Sequence, residues 1–135
     1  MDPAFRLRWL RVVLIVIGIL CLAVWPLMLM WPSGWSWHPR GTHSEYMIVI
    51  VYAVLGVFLL RAVRDPLSHR SLIWFAAWSS LAHGGLMAWQ SFTDASEHGH
   101  MLGDVPALLV GGLVLGALMP RGPGAERLAK HRRMG

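Results

Sequence analysis

The chain has 135 residues, of which 56% are hydrophobic and only 14% are charged, and its formal net charge is +5. A soluble domain carries roughly 25% charged residues, so this composition excludes an ordinary soluble protein and predicts an integral membrane protein. The single cysteine, Cys21, excludes an internal disulfide.

Four apolar segments, at about 12–30, 45–63, 71–92 and 104–119, are predicted to be membrane-spanning helices. A helix needs about 20 residues to cross a hydrocarbon core of about 30 Å. The first and third segments have this length, and the first is predicted to be a retained anchor because it exceeds a signal-peptide core. Pro26 and Pro32 predict a bend or an end in the first helix.

Basic residues predict how the helices are oriented. Eleven of the twelve Lys and Arg residues precede the first span, lie between the second and third, or follow the fourth, and only Arg40 lies elsewhere. The positive-inside rule then places both termini in the cytoplasm. We therefore predict an all-α, integral membrane four-helix bundle in residues 1–120, N-in and C-in, with a basic cytoplasmic tail at 121–135.

The third segment carries a polar stripe in an apolar setting. Helical spacing places Ser79, Ser80, His83 and Gln90 on one face. The opposite face, which suits lipid, holds Trp74, Trp78 and Trp89. Unsatisfied polar groups are costly in hydrocarbon, so the stripe is expected to face the bundle interior. An ionisable residue at that depth indicates function, although a neutral, hydrogen-bonded histidine between helices explains His83 equally well.

Other polar residues are expected to meet this stripe in an outward-facing pocket. Tyr52 lies seven residues after Glu45 on one face of the second helix, and capping alone would explain Asp104 at the start of the fourth. Tyr52, Ser79, Ser80 and Gln90 are predicted to contact a ligand. The predicted metal-site residues are His43, Glu45, His83, His98, His100 and Asp104.

Several ligands suit such a pocket. Imidazole and carboxylate groups suit a transition metal such as Cu, Zn or Fe. A haem- or chlorophyll-type ring would use His83 as axial ligand, with Gly84 and Gly85 leaving room. A quinone or lipid headgroup would bind His83, Tyr52 and Gln90. The leading hypothesis is a protein that binds a metal ion or redox cofactor.

Two further function classes stay open. One is a structural or accessory subunit of a larger membrane complex. The other is an enzyme acting on a lipid or quinone, for which the sequence has no reaction-specific motif. The predicted partner is the lipid bilayer and not nucleic acid. Assembly into a homo-oligomer and binding to partner subunits both stay open.

Four stretches carry a resemblance: "WPSGWSW" (31–37), "HSEYMIVIVYAVLGVFLL" (43–60), "SLIWFAAWSSLAHGGLMAWQ" (71–90) and "HMLGDVPALL" (100–109). With them the chain resembles a family of small bacterial integral membrane proteins of unknown function. The resemblance implies a four-helix fold in the bacterial cytoplasmic (inner) membrane and implies no activity. His98 falls outside these stretches, which contain His43, Glu45, His83, His100 and Asp104.

Overall fold

A computed structural model describes residues 2–37 and 43–120, and all regular secondary structure in these ranges is helical. The predicted all-α fold is confirmed. His38, Arg40 and the predicted tail at 121–135 lie outside the described residues. The helices are α1 (Pro3–Leu22), α2 (Val24–Met30), α3 (Pro32–Trp35), α4 (His43–Ala62), α5 (Arg70–Thr93), a 3₁₀ helix (Ala95–Leu102) and α6 (Asp104–Leu118).

The first apolar segment is broken into two helices just before Pro26. Helix α1 ends at Leu22, and α2 continues after Ala23 at an angle of 58°. Proline lacks an N–H and clashes with the carbonyl four residues earlier, which here belongs to Leu22. At its other end α1 begins with the Asp2 carboxylate accepting the N–H of Ala4 at 3.2 Å, well before the predicted start near residue 12.

The long helices pack in a row. Helix α4 packs on α1, α1 on α6, and α6 on α5. Helices α4 and α5 are not among the closely packed pairs, and they meet through side chains such as Tyr52 and His83. Glycine permits the closest approaches. A Cβ at Gly56 would lie 2.7 Å from the Gly18 carbonyl oxygen, and one at Gly112 would lie 2.8 Å from that of Ala77. The row therefore leaves a gap between α4 and α5.

The buried apolar core occupies one end of this row. Arg6 at the same end donates hydrogen bonds to the carbonyl oxygens of Ala117 and Met119, which puts the start of α1 beside the end of α6. The partly buried Trp74 packs against this core, so it does not face lipid as the stripe analysis expected. The core includes Leu10, Leu14, Leu59, Ala62, Ile73, Ala76, Ala77, Leu115 and Met119.

Among the described helices, α4 alone is long and apolar enough to cross a membrane, with a mean hydropathy of 1.9. The number rises to three if α1 with α2, and the 3₁₀ helix with α6, each form one bent span. Helix α5 has sufficient length, at 24 residues, but its polar side chains and glycines lower its hydropathy. The count of four spans stays a prediction.

Candidate functional site

A cavity of about 580 Å³ lies at the end of the bundle opposite the core. Its deep part is apolar and is lined by residues of α1, α4 and α5, including Ile17, Leu20, Cys21, Leu55, Leu59 and Ala76. Its polar lining comes from α4, α5 and α6, and consists of Ser44, Glu45, Tyr52, Ser80, His83, Gln90 and Asp104. This volume and this mixture are typical of a site for one small organic molecule.

Tyr52 and His83 face each other across the gap between α4 and α5. Their ring centroids are 6.2 Å apart, and the rings meet edge to face at 75°. The structure gives neither side chain a hydrogen-bond partner among the described residues. Trp35 adds a third such group, because its indole Nε1 is buried and lacks an acceptor within the same ranges. The Tyr52 hydroxyl and the His83 ring nitrogens are accessible from the cavity, so they are available to hydrogen-bond with a ligand.

A short segment closes the cavity at the end of the bundle. This lid comprises residues 32–37, namely α3 with Ser36 and Trp37. Ser36 Oγ donates to a Glu45 carboxylate oxygen at 2.5 Å, and Trp37 Nε1 donates to Asp104 Oδ2 at 3.2 Å. Both Trp35 and Trp37 line the cavity. The lid is therefore tied to the start of α4 and to the start of α6.

Glycines let the lid lie directly on the 3₁₀ helix. A Cβ at Gly99 would lie 2.1 Å from the Ser33 carbonyl oxygen, and one at Gly103 would lie 2.1 Å from that of Gly34. No side chain tolerates such a distance to backbone. The sequence "HGHMLGD" thus contains glycine at the two positions where the lid backbone approaches most closely.

A buried imidazole between two carboxylates joins the 3₁₀ helix to α6. His100 is 1% exposed. Its Nδ1 lies 2.9 Å from Asp104 Oδ1, and its Nε2 lies 3.2 Å from Glu97 Oε2. The ring of Trp37 stacks on the imidazole with centroids 4.1 Å apart. One side chain therefore fixes the 3₁₀ helix, the start of α6 and the lid relative to one another.

The two carboxylates contact His100 differently. Its Nδ1 is hydrogen-bonded with Asp104, whereas its Nε2 and Glu97 Oε2 are 3.2 Å apart without the alignment of a hydrogen bond. The two carboxylates also lie on opposite sides of one ring, so they do not converge on a common point as metal ligands must.

The predicted metal site is not assembled. Within residues 2–37 and 43–120, no three His, Cys, Asp or Glu side chains are arranged to hold one metal ion. His43 and His98 are exposed and line no part of the cavity. His100 binds Asp104 from behind the cavity wall. Of the six residues predicted for a metal, only Glu45, His83 and Asp104 line the cavity.

Three of the four residues predicted to contact a ligand lie in the cavity lining. Tyr52, Ser80 and Gln90 line the cavity together with His83. Ser79 does not, and its hydroxyl donates to the Ala76 carbonyl oxygen of its own helix at 3.3 Å. The stripe therefore faces the bundle interior along most of its length, and Ser79 lies at its edge.

Two structural interpretations of the sequence need correction. Gly84 leaves no room for a ring, because a Cβ there would lie 3.0 Å from Leu108 on α6, while Gly85 has nothing within 4 Å. Asp104 does not cap α6, whose N-cap is Gly103 without a side-chain bond. Its carboxylate is used by His100 and Trp37 instead.

Sequence reasoning missed Glu97, Trp35 and Trp37 as site residues. Glu97, His100 and Asp104 are spaced by three and then four residues, which is the spacing of neighbours on a helix. This spacing could have indicated from the sequence that the three side chains are neighbours, although it lies in a segment without hydrophobic periodicity. Tryptophans just beyond the end of a predicted span are typical of an aromatic belt at the membrane surface, and nothing in the sequence indicates that this segment folds back over the cavity.

Comparison with known proteins gives a family but no activity. No curated protein and no solved structure matches the chain. A family model does match, and it covers residues 4–134, which is nearly the whole sequence. The chain therefore belongs to the family of unknown function DUF6632.

Proposed function

We propose that this protein is a multi-pass membrane protein that binds one amphiphilic small molecule in the cavity between its helices. The observation that carries the proposal is a set of polar side chains without hydrogen-bond partners in a cavity whose deep part is apolar. Tyr52, His83 and Trp35 line it and have no hydrogen-bond partners among the described residues. A headgroup with oxygen atoms would hydrogen-bond with Tyr52 and His83, and an apolar chain or ring would fill the deeper part.

The exposed surface supports membrane insertion, including that of α5. Large apolar side chains more than half exposed follow α5 from one end to the other, namely Phe75, Trp78, Leu86, Trp89 and Phe92. Exposed apolar area of this extent is unusual on a water-soluble monomer. Lipid contact with this face would make α5 the fourth span, as the sequence analysis predicts.

The contact between Arg6 and the end of α6 supports an even number of crossings, because it puts the start of α1 and the end of α6 on the same side. With arginines at that end, the positive-inside rule favours the cytoplasm for it. In a bacterial cytoplasmic membrane, the cavity and lid would then face the exterior. We base the proposal on the cavity and not on a metal, since no donor set for a metal is formed in the described residues.

Equilibrium binding tests this function. Protein in nanodiscs is titrated with two probes, a benzoquinone carrying a ten-carbon chain and a single-chain phosphatidylethanolamine, and the two arms decide between a quinone and a lipid headgroup. At about 1–1.5 kcal/mol per lost hydrogen bond, Tyr52→Phe and His83→Leu should each raise the Kd of the bound probe about fivefold to tenfold.

Ser79→Ala is the matched control on α5, because Ser79 lies outside the cavity lining and its loss should leave the Kd unchanged. Binding of neither probe to the wild type, or an equal Kd in all variants, contradicts the proposal.

A further inference from the structure

The gap between α4 and α5 gives the cavity a lateral opening. Four of the cavity-lining residues are also exposed: Ser44 and Ile48 on α4, and Leu86 and Gln90 on α5. No lining residue of α1, α2 or α6 is exposed in this way. We call these four residues the mouth. It lies between the two outer helices of the row, which are not closely packed on each other.

The lid covers the cavity at the end of the bundle, which is the other possible path of entry. Its backbone lies against the 3₁₀ helix at Gly99 and Gly103, and its side chains bond to Glu45 and Asp104. Moving the lid breaks these bonds, whereas the mouth requires no rearrangement. Among the described residues, the side of the bundle is therefore the open path and its end is the closed one.

The chemistry around the mouth indicates what passes through it. The exposed side chains beside it on α4 and α5 are apolar, and Met47, Val51 and Trp89 are each more than 60% exposed. If these helices span a membrane, as the proposed function requires, the mouth opens into hydrocarbon at Ile48 and Leu86, while Ser44 and Gln90 lie in the end turns of α4 and α5, near the headgroups. Water-soluble ligands do not arrive by such a path.

We propose that the ligand is a bilayer-dissolved amphiphile with one hydrocarbon chain, which enters sideways between α4 and α5 with its chain lying through the mouth. The headgroup reaches Tyr52 and His83, and the lid keeps that end of the cavity away from bulk water. The cavity volume of about 580 Å³ is suited to one drug-sized group, so the remainder of a long chain stays between the helices and the lipid.

The test is a rate measurement on the full chain. Protein in nanodiscs is loaded with the chain-deuterated form of the ten-carbon benzoquinone or the single-chain phosphatidylethanolamine, whichever binds at equilibrium. It is then chased with unlabelled probe in vesicles of equal parts phosphatidylethanolamine and phosphatidylglycerol. Native mass spectrometry follows the replacement of the labelled probe over time.

Leu86→Trp narrows the mouth and should slow exchange by about tenfold or more. Leu113→Trp is the matched control, because Leu86 and Leu113 are 59% and 62% exposed but only Leu86 lines the cavity. The exchange rate of the Leu113→Trp variant should equal that of the wild type. Gly103→Ala pushes the lid away from the 3₁₀ helix and should leave the rate unchanged if the variant folds. The comparison of Leu86→Trp with Leu113→Trp does not depend on that variant.

Equal exchange in Leu86→Trp and Leu113→Trp overturns lateral access, as does faster exchange in Gly103→Ala. Failure of the wild type to bind any probe at equilibrium is a different result, because it removes the proposed function itself.

Discussion

At the scale of single residues, His100 has the most constrained surroundings among the described side chains, since two carboxylates and an indole ring contact it. His100→Ala should lower the free energy of unfolding by about 3 kcal/mol, because it leaves the buried Asp104 carboxylate without its imidazole partner. Chemical unfolding in mixed micelles measures this. His98→Ala in the same 3₁₀ helix is exposed and should change the value by less than about 0.5 kcal/mol. Equal effects would show that the buried arrangement contributes nothing.

Alanine variants at two glycines distinguish the effect of helix packing on stability from the effect of helix propensity. Gly56→Ala places a methyl group 2.7 Å from the Gly18 carbonyl oxygen and should destabilise the protein by about 1–3 kcal/mol, the usual cost of overpacking. Gly85→Ala meets nothing within 4 Å and should stabilise the helix by up to about 1 kcal/mol. Thermal unfolding of both variants gives the signs, and the same sign in both would contradict this account of the α1–α4 contact.

The sequence was sufficient for residues whose position depends on helical period. Tyr52, Ser80, His83 and Gln90 line one cavity because spacings of three, four and seven keep them on the inner faces of regular helices. His43 and His98 have no such periodic context. Their residue type suggested a metal, but side-chain chemistry without a fixed backbone does not specify which groups converge.

At the scale of helices, the least predictable segments are those without apolar periodicity. The segment 95–102 has no apolar periodicity in sequence, and it is a 3₁₀ helix whose N-cap, Asp94, accepts the Ser96 N–H at 2.9 Å. The break at Ala23 was predictable to within a few residues from Pro26. The packing of α3 on the 3₁₀ helix was not, because it depends on contacts between segments more than 60 residues apart.

The end of α6 depends on one arginine. Arg6 donates to the last carbonyls of α6, which have no partner within the helix. Arg6→Ala should lower the free energy of unfolding by about 1.5–3 kcal/mol, the usual contribution of a hydrogen bond to a charged group. Arg8→Ala removes an exposed arginine two residues further along α1 and should have little effect. Hydrogen exchange at the end of α6 should rise in the first variant only.

At the scale of the whole molecule, the orientation is testable by cysteine labelling in a Cys21→Ser background. His98 and Ser68 are exposed at opposite ends of α5. If α5 spans the membrane in the proposed orientation, an impermeant maleimide should label His98→Cys in intact cells and Ser68→Cys only after lysis. Labelling of both from the same side would contradict α5 as a span.

The accessory-subunit hypothesis is separated from ligand binding by what co-purifies. A subunit would carry a protein partner at fixed stoichiometry, whereas the cavity requires a bound small molecule. The central claim is that this cavity holds an amphiphile in the native membrane. Native mass spectrometry of the wild type extracted directly into membrane-derived nanodiscs should show one bound amphiphile, and the Tyr52→Phe, His83→Leu double variant should show it largely lost. A wild-type mass equal to that of the bare chain, or the same adduct retained in full by the double variant, would contradict the claim.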